Sequence, residues 1–149
     1  MIRKINETDR ADYLAMAEEF YASEAVLHSV SRAHFERTLD ELLSSDVYAE
    51  GYLFEKKGEA AGYALIAKTF SQEAGGMVYW LEELYVRPAF RGQGIAAKFL
   101  AFLTETASRR GARLRLETEP ENAQAIELYR KRGFKPLPYV QMVKEFDNS

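Results

Sequence analysis

Apolar positions recur along this chain with two different periods, and the switches between them mark its elements. Ala11, Leu14, Ala17, Phe20 and Tyr21 follow Thr8 and Asp9 at helical spacing, so the pattern predicts a helix with Thr8 or Asp9 as its N-cap. Phe35, Leu39, Leu42 and Leu43 share one face of a second helix, which Ser31 can cap. The stretch between them, 22–30, follows neither period and reads as an irregular wall of a cleft. Residues 2–6, 51–56, 61–70 and 77–86 read as strands. The turn Lys57-Gly58-Glu59 and a polar loop with Gly75-Gly76 separate the last three, which are expected to form an antiparallel meander. Pro88 ends that meander. Ile95, Phe99, Leu100, Phe102, Leu103, Thr106 and Ala107 then return to helical spacing, with Gly111 as a candidate C-cap. A strand over 112–118 carries Leu114 and Leu116 on one face. Asn122 opens a further helix containing Ile126 and Tyr129, Gly133 stops it, and Tyr139 to Phe146 reads as a closing strand. This order predicts a mixed α/β sheet covered by helices.

At 149 residues, with no repeat, low-complexity tract or linker, the chain is expected to form one domain over 1–149. Apolar residues make up 47% and charged residues 29%, a globular rather than a disordered composition. The absence of cysteine excludes disulfides, thiolate metal sites and a catalytic thiol, and it fits a reducing compartment. The start, Met1 to Glu7, lacks the apolar run of a signal peptide and no later segment approaches spanning length, so a cytoplasmic protein with no membrane partner is expected.

The net charge of −3 argues against a nucleic-acid partner. Its distribution adds more: residues 1–80 sum to −6 and residues 81–149 to +3. An acidic first half and a basic second half suit a protein holding a cation with one and a polyanion with the other, although two solvated faces explain the numbers equally well. His28 and His34 have no metal-ligand spacing, and no metal is expected; His28 can line a cleft. Glu117, Glu119 and Glu121 form an acidic patch that reads as a solvated face.

The chemistry concentrates after the third strand of the meander. Leu81-Glu82-Glu83-Leu84-Tyr85-Val86 feeds the turn Arg91-Gly92-Gln93-Gly94-Ile95-Ala96, which opens a helix. The first turn of a helix leaves N–H groups without partners and carries the positive end of the dipole, and glycines let a phosphate approach the backbone. A Walker A loop would need a Gly-Lys-Ser/Thr ending, which is absent. Ala97 stands at the third glycine position of a dinucleotide fingerprint, and an antiparallel meander precedes the turn, so both features weaken that reading.

Arg91-x-x-Gly94-x-Ala96 resembles the Gln/Arg-x-x-Gly-x-Gly/Ala signature of the GNAT acetyltransferase superfamily. The strand before it, Asn122 to Tyr129 and the pair Gly133-Phe134 resemble that family's following motifs, in order and at the right separations, over about residues 77–136. Within the superfamily the pattern is similar to that of diamine or polyamine acetyltransferases. The resemblance implies a GNAT-like fold with a mostly antiparallel sheet of 6–7 strands and about four helices. It also implies an acetyl-CoA-dependent N-acetyltransferase acting by direct attack of a primary amine, with a small cationic amine as acceptor. A non-catalytic acyl-CoA sensor and a protein N-terminal or lysine acetyltransferase are the alternatives. Family members often dimerise, and the aromatic closing strand can serve an interface or the core.

The resemblance also assigns roles. Backbone groups of Leu84, Tyr85 and Val86 would bond the pantetheine arm. The N–H groups of Gly92, Gln93, Gly94, Ile95, Ala96 and Ala97 would cradle the pyrophosphate. Arg87, Arg91 and Lys98 would reach outer phosphates, and Asn122 would bond the cofactor, cap its helix, or both. Tyr129 resembles the general acid that protonates the departing thiolate, though its spacing with Ile126 also suits a core aromatic. A base is needed because an alkyl ammonium cannot attack a thioester. Glu82 and Glu83 are the candidates; as strand neighbours they point to opposite faces, and Glu82 aligns better with the polyamine enzymes.

Overall fold

The computed structural model describes residues 1–24, 26 and 28–147, and the chain divides into two units, Met1–Arg115 and Leu116–Ser149. In chain order the elements are β1 (Ile2–Lys4), α1 (Arg10–Tyr21), α2 (Arg32–Ser44), β2 (Ala49–Lys56), β3 (Glu59–Ser71), β4 (Gly76–Val86), α3 (Ile95–Arg110), β5 (Arg113–Leu116) and α4 (Ala123–Lys131). The strands form one sheet in the order β1-β2-β3-β4-β5, antiparallel from β1 through β4. Among the described residues the mixed α/β class and four helices match the expectation, and the sheet has five strands rather than six or seven.

The difference lies at the end of the chain. Tyr139 to Phe146 forms no strand, and Tyr139, Val140, Met142, Val143 and Phe146 are exposed. Alternating apolar residues make a segment able to pair, but a strand exists only against another backbone. The Tyr139 N–H bonds the Leu137 carbonyl (2.8 Å), a local contact.

At the entry to α1 Asp9 is the N-cap, one of the two residues the pattern offers, without a side-chain cap bond. A short 3-10 turn at Glu7–Asp9 precedes the helix, and Asn6 caps that turn. The Asn6 Oδ1 accepts the Thr8 N–H (2.9 Å) while Asp9 Oδ2 accepts the Asn6 N–H (2.8 Å), a reciprocal arrangement. Arg3 then grips both oxygens of Asp9 at 2.7 and 2.8 Å, which holds this buried carboxyl below its ordinary range. Ser31 does occupy the N-cap of α2, without a side-chain cap bond.

Alternation along the strands places two cores on opposite faces of the sheet. On one face Tyr13, Leu14, Met16 and Ala17 of α1 and Phe35 and Leu39 of α2 cluster with Leu53, Tyr63, Leu65 and Tyr85. On the other, Phe99 of α3 meets Tyr52 and Phe54, with ring centroids 5.7 and 5.1 Å apart. Among the described residues no helix is long and apolar enough to cross a membrane.

Gly62 fixes how closely β3 holds the end of β4. It pairs with Val86, and a Cβ at this position would lie 2.2 Å from the Tyr85 carbonyl oxygen. Backbone cannot yield there as a side chain would. Gly62→Ala is therefore expected to destabilise the protein by about 1–3 kcal/mol, read as a lower midpoint in chemical denaturation.

Candidate active site

The glycine turn sits between a short 3-10 turn at Pro88–Phe90 and the first residue of α3. Gly92 and Gly94 have φ of 77° and 78°, left-handed values that only glycine adopts without cost. Nothing lies within 4 Å of where a Cβ would stand on either residue, so both glycines face open space. Gly94 caps α3 without a side-chain bond, and the first intrahelical bond runs from the Lys98 N–H to the Gly94 carbonyl at 3.0 Å. The N–H groups of Ile95, Ala96 and Ala97 precede that bond and form the end of the helix dipole. With the exposed Gln93 beside them, these residues fit an anionic group such as a pyrophosphate.

The strand leading into the turn offers a backbone edge. β5 has 4 residues against 11 in β4, and Ala112, just before β5, bonds the Met77 carbonyl (2.8 Å) at the far end of β4. At about 3.3 Å per residue β5 stops short of Leu84. The Arg87 N–H bonds the Ala61 carbonyl (2.8 Å) and the Tyr85 carbonyl faces Gly62, so those groups point toward β3. Alternation turns the N–H and C=O of Leu84 and Val86 to the outer edge. Of the three residues expected to bond a pantetheine arm, Leu84 and Val86 turn their backbone groups to this edge, while those of Tyr85 turn to β3.

Arg91 folds back over this edge: its Nε donates to the Val86 carbonyl (2.8 Å), and its guanidinium stands 5.8 Å from the centre of the Tyr85 ring. Arg87 is committed elsewhere. It bonds Glu19 Oε2 at 3.0 and 3.2 Å and the Ala60 carbonyl at 3.1 Å, while the Tyr85 hydroxyl donates to Glu19 Oε1 (3.2 Å). Glu19 thus ties α1 to the end of β4. Lys98 is exposed.

Glu82 and Glu83 are separated by a register shift. Leu65 of β3 pairs with Glu83 and Ile66 with Leu81, which leaves Glu82 as the extra residue of a β-bulge. Leu65 belongs to the core beneath α1 and α2, so Glu83 faces that side, and Glu82 is exposed on the bulge. The Tyr63 hydroxyl donates to Glu83 Oε1 at 2.7 Å, and the Tyr21 hydroxyl donates to Oε2. Burial pushes the Glu83 carboxyl above its ordinary range, and the two hydroxyl donors pull the other way. Burial and the neighbouring carboxylate also raise Tyr21 and Tyr63, so both remain protonated donors.

The apolar periodicity puts Tyr21 on the apolar face of α1 and Tyr63 inside a strand. The hydroxyl was the only signal available: a buried tyrosine needs a partner for it, and sequence alone does not say which.

In the second unit Asn122 caps α4, its Oδ1 accepting the Ala125 N–H at 3.1 Å. Gly133, with φ of 91°, follows the helix. Tyr129 lies on α4 with its ring edge-on to Phe134, centroids 5.8 Å apart, and burial raises its hydroxyl above the ordinary phenol value. Among the described residues no group of three or more His, Cys, Asp or Glu side chains is placed to hold a metal ion.

Comparison with known proteins shows the family and the fold. The sequence profile of the Acetyltransferase (GNAT) family matches residues 13–134. The thialysine N-epsilon-acetyltransferase of Mus musculus is 31% identical over 150 residues, covering 91% of this chain and 84% of its own. A possible acetyltransferase from Clostridium difficile 630 superposes with a TM-score of 0.85 at 15% identity, covering 99% of this chain and 98% of that one. An aminoglycoside N-acetyltransferase, AAC(6')-Iy in complex with CoA, gives a TM-score of 0.78 at 19% identity, covering 97% of this chain and 93% of that one; at such identities the likeness is one of fold. With the family profile spanning most of its length and a relative aligned across nearly all of it, the chain belongs to the GNAT acetyltransferase family and is an acyltransferase enzyme.

Proposed function

We propose that the enzyme transfers the acetyl group of acetyl-CoA to the primary amine of a small cationic acceptor, by direct attack and without an acyl-enzyme. The observation that carries this reading is the Glu83 carboxylate, sunk between two tyrosine hydroxyls three residues before the strand that ends in the glycine turn runs out. An alkyl ammonium must lose a proton before it can attack, and a carboxylate raised by burial is a better acceptor for that proton than an ordinary one.

Acetyl-CoA, when bound, supplies the thioester. The outward backbone of Leu84 and Val86 would hold its pantetheine arm, and the N–H groups from Gly92 to Ala97 its pyrophosphate. Asn122 would add a bond from the start of α4. Glu83 takes the amine's proton, and Tyr129 gives one to the departing thiolate. Glu82, exposed on the bulge, contributes charge to the acceptor side. The relative named for thialysine and the fold neighbour named for aminoglycosides support an amine acceptor carrying positive charge.

The test is acetyl-CoA consumption with a panel of polyamines, amino acids including thialysine, aminoglycosides and peptides. Because the chain has no cysteine, a thiol reagent reports released CoA without background from the protein. Turnover with small cationic amines is expected. Turnover confined to peptides would replace this acceptor class with a protein N-terminus or lysine, and consumption by no amine would remove it.

A further inference from the structure

Both oxygens of the Glu83 carboxylate accept a hydroxyl, but the two donors are placed differently. Tyr63, on β3, is fully buried, with Tyr13 of α1 packed edge-on against it at 5.3 Å between ring centroids. Tyr21 is the last residue of α1 and half-buried, with the Phe35 ring of α2 at 5.2 Å and Phe20 at 5.3 Å. The titratable groups around the carboxylate are Tyr13 and Tyr21 from α1, Tyr63 from β3 and Glu82 from β4 itself; α2 presents Phe35. Among the described residues, one side of Glu83 is therefore closed by core and the other by the Tyr21 hydroxyl, nearer the surface.

We infer that the two tyrosines have different roles toward Glu83: Tyr63 is a positioning residue that holds the carboxylate from the buried side, and Tyr21 is the hydroxyl that the incoming ammonium meets and through which its proton passes. The ammonium donates an N–H to the Tyr21 oxygen while Tyr21 donates its own proton to Glu83. On transfer the amine's proton moves to the Tyr21 oxygen as the phenolic proton moves to Glu83. The amine is left neutral, the tyrosine unchanged and Glu83 a carboxylic acid, so charge and protons balance. A phenol is suited to this because it donates and accepts at one atom.

This rests on the reading of Glu83 as the proton acceptor, and the pH dependence of kcat and kcat/KM for the amine tests both. Each hydroxyl favours the ionised carboxylate, so Tyr63→Phe and Tyr21→Phe are each expected to move the acidic limb upward by about one pH unit. Only Tyr21→Phe is expected to lower the high-pH plateau of kcat, by about tenfold or more, and to raise the KM of the amine while leaving that of acetyl-CoA. An unmoved limb in both variants overturns the inference, as does a Tyr21→Phe enzyme with the wild-type plateau and amine KM. Should Tyr63→Phe fail to fold, the Tyr21 result decides alone. Glu83→Gln separates the two failures. If it leaves turnover and the limb intact, the assignment of Glu83 fails; if it removes the limb while the tyrosine variants do not move it, this inference alone fails.

Discussion

Glu83→Gln is expected to lower kcat/KM for the amine by about 10²–10³-fold and to remove the acidic limb of its pH profile. The sign follows from which form is active. As the proposed base Glu83 must be ionised, and burial among Tyr13, Tyr21 and Tyr63 holds its pKa above the ordinary carboxylate value, so wild-type activity is expected to fall as pH drops through that raised value. Stability runs the opposite way. A carboxyl whose folded pKa exceeds its unfolded one contributes most when protonated, and that contribution is lost as pH rises through the folded pKa. The glutamine variant is thus expected to melt higher than the wild type at pH 7, by a margin that narrows as pH falls and Glu83 protonates. Glu82→Gln, on the exposed bulge, is expected to change turnover by less than about tenfold. Initial rates from pH 5 to 9 and melting curves over the same range check all three.

Tyr129→Phe is expected to reduce kcat by about 10²–10³-fold while leaving the KM of acetyl-CoA close to its wild-type value. The ring, its packing edge-on to Phe134 and the helix it belongs to are all retained by phenylalanine. What is lost is the proposed proton donor, a hydroxyl whose pKa is raised by burial, which keeps it protonated throughout the working range. A thioester with a less basic leaving thiolate should depend less on that donor, so acyl donors with acidified thiols are expected to recover part of the rate in the variant. A kcat unchanged by the substitution would leave Tyr129 as a packing residue.

How much of this was legible in the sequence depended on whether the physics was local. The glycine turn was legible because left-handed backbone at Gly92 and Gly94 and a helix N-terminus at Ile95 are properties of a few adjacent residues. Phe35 and Leu39, and Phe99, Leu100 and Leu103, were legible as core because helical spacing puts them on one face, and all are buried. The choice between Glu82 and Glu83 was not legible. Strand alternation says they face opposite sides, but which side each faces depends on the register with β3, and the shift between Leu65 and Ile66 has no signature in β4 itself. Tyr139 to Phe146 shows the same limit: its residues favour a strand, yet pairing requires a neighbour that the segment cannot specify.

The bulge at Glu82 makes residue count matter apart from residue chemistry. Because Leu81 already pairs with Ile66 and Glu83 with Leu65, removing Glu82 altogether would leave every cross-strand partner from 83 to 86 in place, including Val86 opposite Gly62. The shortened strand would still carry its carboxylate to Tyr21 and Tyr63, but without the bend that an extra residue imposes. Inserting a residue between Glu83 and Leu84 would instead turn Leu84 and Val86 inward. In this strand Glu82 acts as a spacer, and a length change there probes the geometry of the edge proposed to meet the donor while leaving the proposed proton acceptor in place.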